Sequence, residues 1–435
     1  MEYHPISEVV DLTDPNANEL EGISLDEARR RVGRGDARAI RGIAGSFAIA
    51  VRDGEAVRLA RSLDRPLRYF LAKRADGPML VVSDRIDAIR VHLASLGLAG
   101  QFQPAYTRMV PAHHVVTIRL VGCPDPDPVY ERFFAPERGV HPAEPGEIGQ
   151  RYVSALAAEV RAWLARVPES EPIGVCFSGG IDSGAVFLVV YHQMLAAGLS
   201  LSRLKAFTLS LGAGEDVLQA REFLERLDLG LFLEPIAADP SSLDYREAVR
   251  VVEDYKRLDV ESATVAIALL RGIRERYPRW RHLADGEGGD ENLKDYPIEE
   301  NPELTIRSVL NNRMLYQEGW GVGTIKHSLT YSGGQSRAVT RTYAPLRRFG
   351  FRGFSPFMRP SVVEVAEGIP FVELTGWDPA RLYALKGEIV SRGVESVTGL
   401  RMPVFPKRRF QDGAAQPGFR LDEAACRREF AALYA

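Results

Sequence analysis

Ile173-Gly174-Val175-Cys176-Phe177-Ser178-Gly179-Gly180-Ile181-Asp182-Ser183-Gly184 decides how this chain is read. Ile173 to Phe177 is a short apolar run, β-branched at Ile173 and Val175, which predicts a buried strand. Small and apolar residues from Gly184 to Leu195 predict the helix that follows. Paired glycines between a strand and a helix let the backbone turn tightly with its N–H groups outward. The helix N-terminus adds partial positive charge, and Ser178 and Ser183 add hydroxyl donors, so the turn suits a phosphate or pyrophosphate. A carboxylate at Asp182 makes sense there if a divalent metal bridges it to the phosphates. A plain glycine-rich turn with a capping Asp would look the same, so the decision rests on features further along the chain.

The 435 residues leave room for two or three domains. Net charge is −3, which gives no global reason to expect nucleic acid or an anionic membrane as partner. Met1-Glu2-Tyr3-His4 does not read as a signal peptide, and no apolar run is long enough to span a bilayer. Cys123, Cys176 and Cys426 are too few and too scattered for a disulfide framework or a zinc site. A cytoplasmic enzyme is expected. Of the 55 basic residues only Lys73, Lys205, Lys256, Lys294, Lys326, Lys386 and Lys407 are lysine. A chain that uses Arg almost everywhere has reason to keep some lysines for a compact, mobile ammonium.

After the loop, Leu204–Ser210 and Leu231–Ile236 predict two more strands, with helices through 220–224 and over Asp244–Val251. That alternation predicts α/β architecture, a doubly wound, mostly parallel sheet with its ligand at the carboxyl ends of the strands. Ile148, Tyr152, Leu156, Val160, Trp163 and Val167 repeat at helical spacing and predict a helix leading into the strand at 173. Further on, Asp285-Gly286-Glu287-Gly288-Gly289-Asp290-Glu291 packs three glycines and four carboxylates into seven residues. Neither a core strand nor a stable helix is expected there, but a turn that brings carboxylates close to a charged partner. Pro302 to Arg341 reads as helical but irregular, and Phe405-Pro-Lys407-Arg408-Arg409-Phe410-Gln411-Asp412-Gly413 as a basic segment.

Ser178-Gly-Gly-Ile-Asp-Ser183 resembles the Ser-Gly-Gly-x-Asp-Ser loop of the ATP pyrophosphatase superfamily, and no Gly-Lys-Ser/Thr of a Walker loop follows. Gly286-Glu-Gly-Gly-Asp-Glu291 and Lys407–Gly413 are similar to the Gly-Glu-Gly-x-Asp-Glu and Lys-x-x-Phe-x-Asp-Gly motifs of the asparagine synthetases. That group also contains the β-lactam and carbapenam synthetases and the lasso-peptide cyclases. The resemblance implies ATP and Mg²⁺ as cofactors, cleavage between the α and β phosphates, and an acyl-adenylate passed to nitrogen. It implies Ser178, Gly179, Gly180, Asp182, Ser183, Gly286, Gly288 and Lys386 at ATP and pyrophosphate, and Asp182 and Asp290 on the metal. Lys386-Gly-Glu-Ile is close to the family's Lys-x-x-Leu helix start. Lys407 is implied over the pyrophosphate and the reacting acyl carbon. With Glu287 it is a candidate catalytic residue. The β-lactam-forming branch carries Tyr at the position of Glu287, and the asparagine synthetases carry Glu. Glu215, Asp216, Glu253, Asp254 and Asp259–Thr264 stand where the family places acidic and small residues near adenosine and acceptor. Helix-end acidity explains Glu215 and Asp216 equally well.

Upstream, Gly45–Asp53 and Val57–Ala60 predict a hairpin about Asp53-Gly54, Leu67–Ala72 and Met79–Ser83 two further strands, Ile86–Leu98 a helix and Val115–Leu120 a strand. Gly45-Ser-Phe-Ala, Ala60–Leu67 and Val82–Ile86 resemble parts of the Ntn-hydrolase-like glutaminase domain of the asparagine synthetases. That class needs Cys as its first residue, where thiol and terminal amine act together, and position 2 here is Glu. The segments that hold glutamine have no counterpart before residue 40. A shortened, catalytically empty α+β domain over 1–122 is expected, then a proline-rich linker over 123–146 without regular structure, then a synthetase domain over 147–435.

The reading favoured is an ATP-dependent ligase or cyclase of natural-product biosynthesis. It would adenylate a small-molecule or peptide carboxylate and pass it to an amine other than glutamine-derived ammonia. Direct use of free ammonia stays open, as does a nucleotide-binding partner subunit without activity. Neither nucleic acid nor membrane is expected as partner, and a homodimer is compatible with the chain.

Overall fold

The computed structural model describes residues 5–120, 127–211, 215–295, 305–311, 339–406 and 421–434. Chain contacts divide these into two compact units. One holds the residues up to Ala135 and from Arg428. The other runs from Pro136 to Asn311 and from Thr340 to Arg427.

In the first unit, β1 (Glu8–Asp11), β2 (Glu19–Glu21), α1 (Leu25–Arg34), α2 (Ala37–Arg41) and β3 (Ala44–Ser46) precede the predicted hairpin. β4 (Ala48–Asp53) and β5 (Ala56–Arg61) pair antiparallel, with Asp53 opposite Ala56 across Gly54-Glu55. Gly54 takes φ +56°, as so tight a turn requires. β6 (Arg68–Ala72), β7 (Met79–Ser83), α3 (Ile86–Ser95), β8 (Arg108–Met109), β9 (His114–Arg119) and β10 (Val129–Arg132) complete it. The strands form two four-stranded sheets, ordered β1-β7-β6-β8 and β10-β9-β5-β4. β10 lies inside the proline-rich stretch expected to lack regular structure. Its residues Val129–Arg132 pair antiparallel with β9, because the prolines at 128 and 136 flank the strand and leave its N–H groups free to bond.

The second unit opens on α4 (Pro145–Leu164), again earlier than the proline content suggested. Pro145 at the first helical position costs nothing, and the Glu144 carboxylate accepts from the N–H groups of Gly146 and Glu147. The predicted stripe Ile148, Tyr152, Leu156, Val160 and Trp163 is buried. β11 (Ile173–Cys176), α5 (Ile181–Ala196), β12 (Leu204–Leu211), α6 (Glu215–Glu225), β13 (Leu233–Ala238), α7 (Tyr245–Val252), α8 (Arg257–Arg276), β14 (His282–Ala284) and α9 (Gly289–Leu293) follow. Then come α10 (Ile306–Asn311), α11 (Ala344–Arg348), β15 (Arg352–Phe354), α12 (Pro360–Glu367), α13 (Phe371–Thr375) and α14 (Pro379–Thr398). Five parallel strands form one sheet in the order β13-β12-β11-β14-β15. The α/β expectation holds.

Three local expectations need correction. Gly289–Leu293 is a turn of helix, since Gly288 absorbs the left-handed conformation (φ +98°) ahead of it. Lys386 lies within α14, two turns from its start, so it is not at a helix start. α8 runs to 20 residues where only short polar segments had been noted; buried nearly all round, it shows no polar–apolar stripe. Most of Pro302–Arg341 falls outside the described residues. Among those described, no helix is long and apolar enough to cross a membrane.

Glycine sets two close approaches that position the site. Gly174 sits in the middle of β11, where a Cβ would stand 2.5 Å from both Leu283 and Phe207 on the neighbouring strands. Gly149 of α4 and Gly393 of α14 meet backbone to backbone, and a Cβ on Gly393 would collide with the Gly149 carbonyl. Gly393→Ala should therefore destabilise the protein by about 1–3 kcal/mol, the usual range for overpacking. An unchanged denaturant midpoint would show that the two helices can part at no cost.

Candidate active site

The sheet's order reverses at β11. The chain runs outward through β12 to β13, then returns to β14 on the other side. A crevice opens at such a switch point, beyond the carboxyl ends of the strands. The turn after β11 carries Ser178–Ser183, and the turn after β14 carries Asp285–Glu291. The structure brings these two sequence motifs together. A Cβ on Gly286 would stand 2.7 Å from the Ser183 nitrogen, and one on Gly289 would collide with the Asp182 carboxylate. Glycine at 286 and 289 is thus a packing requirement of loop against loop.

Within the first loop, Gly179 takes φ +72°, and a Cβ there would stand 2.9 Å from Ala220 at α6. The Ser178 N–H donates to the Ser183 hydroxyl (3.2 Å), the two hydroxyls lie 3.1 Å apart, and the Gly180 N–H donates to Ser178 Oγ (3.3 Å). These bonds hold the loop folded on itself at the start of α5. Gly288 packs on Phe357 and Met358 of the segment after β15.

Lys386 is the centre of the arrangement. Its ammonium donates to Asp182 Oδ2 at 2.6 Å and to Asp290 Oδ1, and stands 3.4 Å from Asp295 Oδ2. The side chain is 3% exposed. Burial works against its charge, but Asp182, Asp290 and Asp295 outweigh that and raise its pKa well above the usual lysine value. One positive charge serves three carboxylates. Burial accordingly pushes Asp182 up to about 7, with Asp290 and Asp295 adding to the rise and Lys386 opposing it. Asp182 Oδ1 is buried with no hydrogen-bond partner.

Asp182 and Asp290 fit a divalent cation. Both contact the Lys386 ammonium, Asp182 keeps an unsatisfied buried oxygen, and one ammonium among the carboxylates leaves room for a further cation. No group of three or more metal-ligating side chains exists among the described residues. Two carboxylates with phosphate oxygens completing the shell is the usual way for Mg²⁺ to be held.

Glu287 stands apart from this cluster. Its N–H donates to Asp285 Oδ1 (3.0 Å), which also accepts from the Ser355 hydroxyl (2.8 Å). Its carboxylate is 3.9 Å from Arg341, which is also 3.8 Å from Asp259. Burial pushes Glu287 up to about 8; Arg341 opposes the rise, while Glu291, Asp285 and Asp290 add to it. Asp216, Glu253, Asp254, Asp259 and Glu261 are all buried. Asp254 accepts from the N–H groups of Tyr255 and Lys256 and so shapes the entry to α8. Lys407 lies outside the described residues.

Three residues of the site escaped the sequence reading: Asp295, Arg341 and Ser355. Arg341 is one of 48 arginines, and nothing in such a sequence separates a working guanidinium from a solvated one. Asp295 could have been suspected, four residues after the second motif.

Two acidic, glycine-rich turns meeting at the switch point of a parallel sheet define an α/β unit built to handle phosphates. Residues 156–344 match the family described as asparagine synthase. That match supports an ATP-utilising ligase that forms C–N bonds. No curated protein of similar sequence was found. A solved structure of NMN synthetase from Francisella tularensis is similar at 17% identity over 36% of this chain and 60% of that one, with a TM-score of 0.22. That likeness is too slight to carry an argument.

The raised pKa of Glu287 has a consequence for stability. Its carboxyl keeps a proton to higher pH folded than unfolded. Between about pH 4.5 and 8 the unfolded chain therefore binds fewer protons, and stability falls as pH rises. Glu287→Gln should flatten that decline, by at most about 1.4 kcal/mol per pH unit. Identical slopes for parent and variant in denaturant titrations without nucleotide or metal would refute the shift.

Proposed function

We propose that the second unit adenylates a carboxylate at the expense of ATP, releases pyrophosphate, and transfers the acyl group to an amine to form an amide. The observation that carries this is the Lys386 ammonium gripped by Asp182 of one motif loop and Asp290 of the other. A binding scaffold would have no use for so concentrated a charge cluster beside a phosphate turn. ATP and a divalent cation are the cofactors of this reading. Held by Asp182 and Asp290, the cation would neutralise the phosphates.

The chain's own residues would act in sequence. The Ser178–Ser183 turn, with the start of α5, receives the pyrophosphate part of ATP. The substrate carboxylate oxygen attacks the α-phosphorus, and pyrophosphate leaves against Lys386. The amine nitrogen then attacks the acyl carbon, its proton passes to the Glu287 carboxylate, and the C–O bond to AMP breaks. A carboxyl that titrates near neutral pH suits that exchange. Lys407 would follow the charge that grows on the acyl oxygen and on the departing AMP.

Two contacts bring Val404 and Phe405 close to α14 and α5. Val404 packs within 3.3 Å of where a Cβ on Gly387 would stand, next to Lys386. Phe405 lies 6.5 Å from the ring of Phe223, which itself abuts Gly184 of α5. The missing glutamine-holding segments favour an amine other than glutamine-derived ammonia, as in a cyclase or ligase of natural-product biosynthesis. Glu at position 287 argues against a plain β-lactam synthetase. Carboxylate and amine would come from small molecules or peptides.

ATP should be converted to AMP and pyrophosphate with a Mg²⁺ requirement. ADP and phosphate as stoichiometric products would overturn the reading. Lys407→Met should lower turnover by about 10²–10³ while ATP still binds, the usual effect of removing one electrostatic contact to a transition state. Lys407→Arg should restore little, because a planar guanidinium cannot follow the moving charge. Turnover within a few-fold of the parent in either variant would remove Lys407 from the mechanism.

A further inference from the structure

The same strands that end at the phosphate turns begin at a second concavity. A pocket of about 670 Å³ is formed by Ser170–Pro172, just before β11, and by Arg276–Arg281, from the last residue of α8 to the start of β14. That volume is within the range of small-molecule sites. Four residues of β11 and three of β14 separate it from the catalytic loops, so it lies at the opposite end of the sheet.

Its walls are fixed. Arg274 donates from one guanidinium to the carbonyls of Pro278, Trp280 and Phe349, and stacks over Phe351 at 4.0 Å. Trp280 packs edge-on to Phe207 at 4.9 Å and lies 5.4 Å from Tyr277. The turn therefore presents its side chains from a rigid base.

Its charge is mostly positive. Arg276 is paired with Glu234 at 2.9 Å, while Glu171 lies 2.9 Å from His282, an imidazole that burial holds below its usual pKa and that brings no positive charge. Arg279 and Arg281 have no carboxylate partner among the described residues. Two unpaired guanidinium groups thus outnumber the one carboxylate, Glu171, on a concave surface lined also by proline and aromatic side chains. Guanidinium pairs match the oxygen geometry of phosphoryl groups, and a phosphoryl dianion calls for more than one of them.

We propose that this pocket is a second binding site, for a phosphorylated small molecule whose planar or apolar body rests on Tyr277 and the prolines while Arg279 and Arg281 hold its phosphoryl group. The site is independent of the ATP chemistry and could hold a regulator of it.

Phenyl phosphate is a suitable probe, titrated calorimetrically into the full-length protein at moderate salt. Binding should weaken about tenfold or more in the double variant Arg279→Gln/Arg281→Gln. Both residues are exposed, so the melting temperature and pyrophosphate exchange of that variant should stay as in the parent. Asp182→Asn, an isosteric change in the catalytic loop, should leave phenyl phosphate binding within about threefold of the parent. Inorganic phosphate and benzoate should each bind more weakly than phenyl phosphate. Unchanged binding in the double arginine variant, or its loss in Asp182→Asn, would overturn the proposal. So would capture of a poly-glutamate peptide with no binding of phenyl phosphate, which would make the surface a contact for an acidic chain.

Discussion

Everything at the upper end of the parallel sheet depends on one buried ammonium shared by carboxylates from three places in the sequence. Asp182, Asp290 and Asp295 come from two loops that would repel one another if brought together alone. Lys386, delivered from a helix almost a hundred residues further on, makes their meeting possible. The compensation is incomplete by design of the numbers: one positive charge among three negative ones leaves demand for further cation. On the proposed function, a site in that condition is stable enough to form and would still attract a metal-bound polyphosphate.

How much of this was legible beforehand varied with the kind of signal. The strand–turn–helix at 173–195 could be read residue by residue, because apolar run, paired glycines and small-residue helix start each constrain the backbone locally. The acidic turn at 285–291 was legible as a charged approach, though not as the helical turn it partly is. Lysine scarcity marked Lys386, which sits at the site, no more than it marked Lys294 and Lys205. Those serve buried or half-buried pairs with Glu367 and Glu234. A rare residue type marks where a compact ammonium is needed without saying whether the need is structural or chemical.

Other parts were hidden for physical reasons. α8 is buried on nearly every side, so its sequence carries no face to detect. β10 lies between prolines, and a proline-dense sequence hides a strand whose N–H groups are still free to pair with β9. Arg341 and Ser355 reach Glu287 and Asp285 only through the fold. Long-range electrostatic neighbours of this kind are properties of three-dimensional packing, and a single sequence records them only as unremarkable polar residues.

The glycine contact between α4 and α14 bears on how this enzyme fold can vary. Gly393 follows Lys386 by seven residues, close to two full helical turns, so both face α4 and the sheet behind it. Nothing with a side chain fits where the two backbones touch, and α14 has one axial setting. Inserting or deleting a single residue between 386 and 393 would swing the ammonium through about 100° and shift it about 1.5 Å along the axis. The carboxylates would then face the wrong side of the helix. The seven-residue interval is a ruler for the charge, and length changes in this protein belong in its loops.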